Sequence, residues 1–381
     1  MFRLSYFTQQ ELDVAKVYHN DDKNDSIIVK LFFRRFWEFL LSKIPPTLSP
    51  FCLLILGLLC DTTSFVYSVI NSRFFFERLN YWVRIYNFVG LCLYFQFSNL
   101  GLMQAQRTNT PPPVYLFLHQ AVNSFIYIFE LLKYALSIDS FCDSFTFHLV
   151  FLMAIDFYFY AWQEYSTRRS NLLFINGPYE GLFVLSLIYL FLGLYPRFTV
   201  FFISDICEYI VLCVFGLQAL LIICDVVYKC IQNHNFIRNS ILTTLPFIFS
   251  LALIALNFYT IDPDNPYFIF TAGLLLEFQA QQLFIGHIVG RSPSQISDFS
   301  LNIIWPLFLV PLVLEEDNYL FYKILFILMV ISVLILDFRV IFDLKKVLKF
   351  SLFRAQNNNN LQDDVAVDVM KVNDEKIESL Q

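Results

Sequence analysis

Ser98 to Asn123, SNLGLMQAQRTNTPPPVYLFLHQAVN, lies in two apolar segments joined by a turn. Ser98 and Gly101 are three apart and share one helix face; His119 and Asn123 are four apart and share another. Between them stand Gln106, Arg107 and the stiff run Pro111-Pro112-Pro113, which fixes the backbone of the turn. The layout is that of a polar site between two helices. Its residue types are neutral where a metal-binding site would need carboxylates.

The surroundings of this stretch are those of a membrane protein. Of 381 residues, 57% are apolar and 19% aromatic, and phenylalanine alone contributes 46. Charged residues are 15%, against about 25% in soluble domains. A water-soluble core cannot hide so much apolar surface, so the expected fold is all-α and polytopic. About ten segments are long enough to cross a bilayer: 50–70, 85–104, 114–137, 145–163, 180–196, 203–228, 240–259, 266–289, 299–314 and 321–342. Ahead of them, residues 27–43 place Phe32, Phe33, Phe36, Trp37, Phe39 and Leu40 beside Lys30, Arg34, Arg35 and Lys43. That pattern predicts an amphipathic helix lying in the membrane interface.

Positive charge orients the chain. With both termini in the cytosol, fifteen Lys and Arg fall in or beside cytosolic segments and six on the opposite side, the latter being Arg73, Arg78, Arg84, Lys133, Arg197 and Lys323. This arrangement puts 98–123 at the cytosolic ends of the second and third spans. The expected organisation is a cytosolic N-terminus with its interfacial helix over 1–45, a ten-helix membrane domain over 46–350 and an acidic tail over 351–381. The tail is disordered by composition: Asn357 to Asn360 is a homopolymer, and Gln362 to Gln381 carries six acids against two lysines.

The remaining chemistry is sparse. The eight cysteines form no CxxC pair and mostly lie in apolar runs, which fits packing rather than zinc or disulfides. There is no P-loop, GxGxxG, HExxH or GxSxG pattern. An acidic, membrane-embedded chain is a poor nucleic-acid binder. Glu130, Asp156, Asp205, Glu208, Asp225 and Glu277 fall inside predicted spans, where burying charge is costly, so each is either paired within the bundle or functional. Gln279, Gln281, Gln282 and His287 join Glu277 in the densest polar face of the C-terminal half.

Three blocks carry a family resemblance. Ala105-Gln106-Arg107-Thr108-Asn109 is similar to the Ala-Arg-Arg-Thr stretch of the CDP-alcohol phosphotransferases (the CDP-alcohol phosphatidyltransferase class-I family), in their eukaryotic choline/ethanolamine phosphotransferase form. Trp162-Gln163-Glu164-Tyr165 resembles their Trp-Glu-Glu-Tyr block, and Asn176-Gly177-Pro178-Tyr179-Glu180-Gly181 their Asn-Gly-Pro-x-Glu-Gly block. Pro50 and Gly57 fit the start of the first span, although Phe51 and Leu54 replace its Asn and Thr. The resemblance implies a ten-span enzyme of the endoplasmic reticulum membrane that uses Mg²⁺ or Mn²⁺ to move phosphocholine or phosphoethanolamine from its CDP ester onto diacylglycerol.

Laid on the family motif without a gap, this sequence keeps the spacing and replaces the chemistry. The four aspartate positions hold Ser98, Gly101, His119 and Asn123. The two glycine positions hold Leu102 and Tyr115, the arginine position Gln106 and the base position Gln120. Two hard cations need anionic oxygens, which these residues do not supply. No intact catalytic set and no metal or other cofactor is therefore expected; Mg²⁺ or Mn²⁺ would return only if the chain were active. The leading expectation is a non-catalytic family member that acts in or regulates phosphatidylethanolamine and phosphatidylcholine synthesis. Its expected partners are membrane lipids including diacylglycerol, and either an active relative or a second copy of itself. The alternatives are an active phosphotransferase with an unusual site and a lipid-binding or transport protein.

Overall fold

The computed structural model describes residues 6–16, 18, 29–72, 79–138, 144–167, 178–196, 213, 216–217, 219–228, 234–260, 266–293, 295–296 and 319–348. The principal helices are α1 (Gln9–Lys16), α2 (Arg34–Lys43), α3 (Pro50–Asn71), α4 (Tyr81–Arg107), α5 (Pro112–Ser137), α6 (Ser144–Thr167), α7 (Pro178–Leu194), α8 (His234–Thr260), α9 (Pro266–Val289) and α10 (Tyr319–Leu348). The described residues contain no strand. Helices α3 to α10 stand where eight of the ten spans are predicted. The predicted span 299–314, part of 203–228 and the tail 351–381 lie outside the described residues, as do Asp205, Glu208 and Asn176-Gly177. Four helices are long and apolar enough to cross a membrane: Pro50–Asn71, Pro112–Ser137, Tyr267–Val289 and Leu320–Leu348. The chain is thus a helical membrane protein, with four such spans among the described residues against about ten expected. Polar side chains such as Arg84, Asn87 and Ser98 lower the apolarity of α4, and Gly181–Leu194 and Leu242–Leu256 are apolar but shorter.

Local sequence sets the helix ends. Ser49 caps α3 by accepting a hydrogen bond from the Phe51 amide at 3.3 Å, and Pro50 occupies the first helical position, where its missing N–H costs nothing. The α4–α5 turn is stopped by the Thr108 hydroxyl, which donates to the Gln104 carbonyl at 2.8 Å, and by Asn109 at φ 48°. Pro112 and Pro113 then restart the chain as α5.

Helices α3 and α4 form the most extensive pair. They approach so closely that a Cβ on Gly90 would lie 2.5 Å from Ser64 Oγ. Helix α5 lies across this pair and α7 flanks α4. In the other half, α9 packs against α5, α6, α8 and α10 and is buried on every side. Helix α10 turns Leu320, Ile324, Phe338 and Phe342 outward, the lipid-facing stripe expected of a peripheral span.

The predicted amphipathic helix over 27–43 takes a different form. One π-helical turn, Val29–Phe33, runs into the ten-residue α2. Its aromatic face is also divided. Trp37 is 2% exposed, stacked on Phe33 and set edge-on to Phe95, with Nε1 donating to Gln96 Oε1 at 2.5 Å. An indole needs a partner for its N–H when buried, and α4 supplies one. Leu31, Phe32, Phe36 and Phe39 remain exposed.

Candidate functional site between helices α4 and α5

The α4–α5 hairpin brings together most of the positions singled out above. Ser98 Oγ lies 3.0 Å from His119 Nε2. His119 Nδ1 lies 3.2 Å from Asn123 Nδ2, and Asn123 Oδ1 accepts a hydrogen bond from the Tyr94 hydroxyl. Gln120 Oε1 stands 3.5 Å from Asn123 Nδ2. One continuous hydrogen-bonded chain, Tyr94–Asn123–His119–Ser98, therefore crosses between the two helices. Ser98 is buried, whereas His119 and Asn123 are half-buried.

Tyr115 closes the other side of the site. Its hydroxyl donates to the Ser98 carbonyl at 3.1 Å, and its ring lies against that of His119. A Cβ placed on Gly101 would lie 2.6 Å from the Tyr115 hydroxyl and 3.2 Å from the Pro50 carbonyl. Tyr115 thus fills the space that a side chain at position 101 would need. Leu102 is half-buried, and Gln106 is exposed at the end of α4.

These residues do not form a cage for a divalent cation. Ser98, His119 and Asn123 are neutral donors and acceptors engaged with one another, and the space beside Gly101 is filled. Hard cations take several oxygen ligands, usually including carboxylates. Among the described residues no three His, Cys, Asp or Glu side chains gather as a metal-binding group.

The end of α4 also holds the chain that leads into α3. Gln104 is fully buried, and its Nε2 donates to the Pro45 and Leu48 carbonyls at 3.2 and 2.7 Å. The Arg107 guanidinium donates to the Leu41 and Ile44 carbonyls, both at 2.7 Å, at the end of α2.

Two further polar centres lie elsewhere. About 20 Å along α5 from His119, Lys133 is 0% exposed. Its Nζ meets Asp61 Oδ1 at 2.5 Å, Ser64 Oγ at 3.0 Å and the Glu130 carboxylate. Arg84 is buried on α4 and donates to the Leu192 carbonyl at 3.5 Å. Lys133 and Arg84 are therefore internal helix residues and not the flanking charges assumed in orienting the chain. The i,i+3 spacing of Glu130 and Lys133 was a visible signal for this pairing, but Asp61 joins them only through tertiary packing. Of the other span carboxylates, Asp225 accepts from Gln163 Nε2 at 2.7 Å, Asp156 lies half-buried on α6, and Glu277 is buried facing Ser124.

The second centre ties the N-terminal segment to α9 and α10. The Arg291 guanidinium contacts Glu11 Oε1 at 2.6 Å and the Tyr6 hydroxyl at 2.8 Å, and lies over the Tyr6 ring. The Tyr6 and Phe7 amides donate to Asp343 Oδ2 at 2.6 and 3.1 Å, and the Tyr6 hydroxyl donates to Gln282 Oε1. Burial pushes the Glu11 carboxyl up, but hydrogen bonds from Arg291 and Thr8 outweigh it and hold the group below its ordinary value. The Trp162–Tyr165 block closes on the same end of α9: the Tyr165 hydroxyl donates to the Arg291 carbonyl at 2.8 Å, and Glu164 lies 3.5 Å from His287.

Comparison with known proteins points to the same family as the resemblance. The chain is 28% identical over 165 residues to an uncharacterised CDP-alcohol phosphatidyltransferase class-I family protein 3 of Dictyostelium discoideum, a match covering 42% of this chain and 41% of that one. It is 26% identical over 208 residues to choline/ethanolaminephosphotransferase 1 of Saccharomyces cerevisiae, covering 51% and 50%. It is 27% identical over 157 residues to choline/ethanolaminephosphotransferase 1 of Arabidopsis thaliana, covering 41% and 40%. The chain is thus distantly similar to proteins of the CDP-alcohol phosphatidyltransferase class-I family. No protein-family model matches it. The matches span half or less of the length of these curated relatives. The α4–α5 hairpin holds Ser98, Gly101, Tyr115, His119 and Asn123, the positions singled out by the resemblance.

Proposed function

We propose that this protein is a phosphotransferase-family member that no longer carries out metal-dependent phosphotransfer and acts as a membrane partner in phosphatidylethanolamine and phosphatidylcholine synthesis. One observation carries the reading. At the four motif aspartate positions stand Ser98, Gly101, His119 and Asn123; three of them are hydrogen-bonded in a chain, and Tyr115 fills the space beside the fourth. Function resides in the site and not in the fold, and this site lacks the charge its relatives' reaction needs. The wider setting is part of the proposal: ten spans across 46–350, an interfacial role for α2, both termini cytosolic, and residence in the endoplasmic reticulum. The exposed Leu31, Phe32, Phe36 and Phe39 beside Arg34, Arg35 and Lys43 support the role of α2.

The test is enzymatic. The full chain is expressed in membranes that lack other phosphotransferases and given CDP-ethanolamine or CDP-choline, diacylglycerol, and Mg²⁺ or Mn²⁺. The expected result is no phosphatidylethanolamine or phosphatidylcholine above background. Robust metal-dependent turnover would establish an active enzyme with an unusual site instead. The partner role is checked by co-purification with an active relative and a change in that relative's amount or rate.

A further inference from the structure

The residues that replaced the aspartates make a new constellation. Ser98, His119 and Asn123 stand in the order nucleophile, base and orienting group, with Ser98 Oγ 3.0 Å from His119 Nε2 and Asn123 at 3.2 Å from the other ring nitrogen. These separations lie within the reach that nucleophilic catalysis requires. The three side chains come from two neighbouring helices, and Asn123 is itself held by Tyr94. The Tyr115 ring lies against the imidazole and restricts its tilt. We infer that Ser98 and His119 form a metal-free nucleophile–base pair for hydrolysis of lipid acyl esters, with Asn123 as the positioning residue.

The protonation states are compatible with this role. A tyrosine hydroxyl both donates and accepts, and a carboxamide offers a donor on one side and an acceptor on the other. Turning the Asn123 carboxamide by half a rotation presents Oδ1 to an Nδ1–H of His119 and Nδ2 to the Tyr94 hydroxyl, and gives up the 3.5 Å contact with Gln120 Oε1. In that tautomer Nε2 carries the lone pair and accepts the Ser98 proton. A general base needs that arrangement.

The substrate class follows from position. Ser98 lies about 14 Å along α4 from its end at Arg107, and His119 about 10 Å along α5 from its start at Pro112. In a helical membrane protein, a buried Ser98 with half-buried His119 and Asn123 at that distance from the helix ends suits an ester carried by a membrane lipid better than a water-soluble one. In the step, Ser98 Oγ attacks the ester carbonyl while its proton passes to His119 Nε2. The bond to the glycerol oxygen breaks, and that oxygen takes the proton from His119. Water, activated by the same imidazole, then releases the fatty acid and restores Ser98. No metal and no oxidant enter the balance. The reaction is separate from phosphotransfer, so the two tests fail independently.

The experiment uses the full chain in lipid nanodiscs, a fluorescent fluorophosphonate and peptide mapping. The expected result is an adduct on Ser98, lost in Ser98→Ala and slowed at least about 100-fold in both His119→Ala and His119→Gln. The Gln variant keeps a hydrogen-bonding side chain but no base, and size-exclusion profiles show that each variant is folded. Asn123→Asp places a carboxylate beside the imidazole, and the pH midpoint of labelling moves up; a merely structural role leaves that midpoint in place. In vesicles containing either diacylglycerol or phosphatidylcholine as the only ester, release of fatty acid in a Ser98-dependent way from one or both identifies the lipid. An unmodified Ser98 in folded protein, labelling indifferent to His119, or no fatty acid from either vesicle overturns the inference.

Discussion

Substituting Gly101 by alanine in two backgrounds probes the packing of the motif site. In a helix interior, Gly→Ala stabilises by about 0.5–1 kcal/mol through the unfolded chain and the helix propensity. Here the new Cβ would fall 2.6 Å from the Tyr115 hydroxyl, a contact that must be relieved. The tyrosine is hydrogen-bonded to the Ser98 carbonyl and packed against Phe51 and His119, so it cannot swing away freely. Overpacking of this kind costs about 1–3 kcal/mol, which outweighs the propensity gain. Tyr115→Phe removes the offending oxygen; the nearest remaining atoms are the Pro50 carbonyl oxygen at 3.2 Å and the ring carbon at 3.6 Å. In that background Gly101→Ala is neutral or stabilising by up to about 1 kcal/mol. The sign of the effect reverses, and the coupling of about 1–3 kcal/mol exceeds the ~0.5 kcal/mol scatter of independent sites. Thermal unfolding of purified protein followed by size-exclusion chromatography reads this as a Tm difference of a few degrees. Additive effects of the two substitutions, or a Gly101→Ala protein more stable than the parent, would falsify the claim that Tyr115 occupies the aspartate space.

Other outcomes follow from the same geometry. Lys133→Met leaves the Asp61 and Glu130 carboxylates buried without their cation, and the cost of about 3–5 kcal/mol should appear as a Tm lower by roughly 5–10 °C. Adding Asp61→Asn and Glu130→Gln should recover most of that loss in the same thermal assay. Glu11 sits below its ordinary value, so its contribution is present above the unfolded glutamate range and is lost as pH falls through the folded value. Hydrogen exchange should therefore show residues 6–16 losing protection on acidification below about pH 4.5. Glu11→Gln should remove that dependence, and an acid response that persists in Glu11→Gln would assign it to another group.

The helical architecture was legible because composition, span lengths and the turn at Pro111-Pro112-Pro113 all point the same way. Spacing alone put Ser98 and Gly101 on one face and His119 and Asn123 on another, since both pairs obey the helix period. What the sequence could not show depends on tertiary contact. Tyr94 lies one turn before Ser98 and has no motif value until its hydroxyl meets Asn123. Asp61 lies 72 residues from Lys133 and finds it only when α3 and α5 pack. The reach of Arg107 to α2 was equally hidden, because a basic residue after a span is normally taken as a solvated flanking charge. Trp37 shows the reverse error: it was assigned to the open aromatic face, but its N–H and its bulk are both better accommodated against α4.

The Arg107 fork has a mechanical consequence. It grips the last carbonyls of α2, while Gln104, one turn earlier, grips the elbow at Pro45 and Leu48. The slope of α2 is therefore inherited from the end of α4 and is not set independently by its own loop. Any surface that presses on Phe32, Phe36 and Phe39 pushes, through four anchored carbonyls, on the helix that carries Ser98. Helix α2 and the polar site are thereby joined by a short lever with its fulcrum at Gln104.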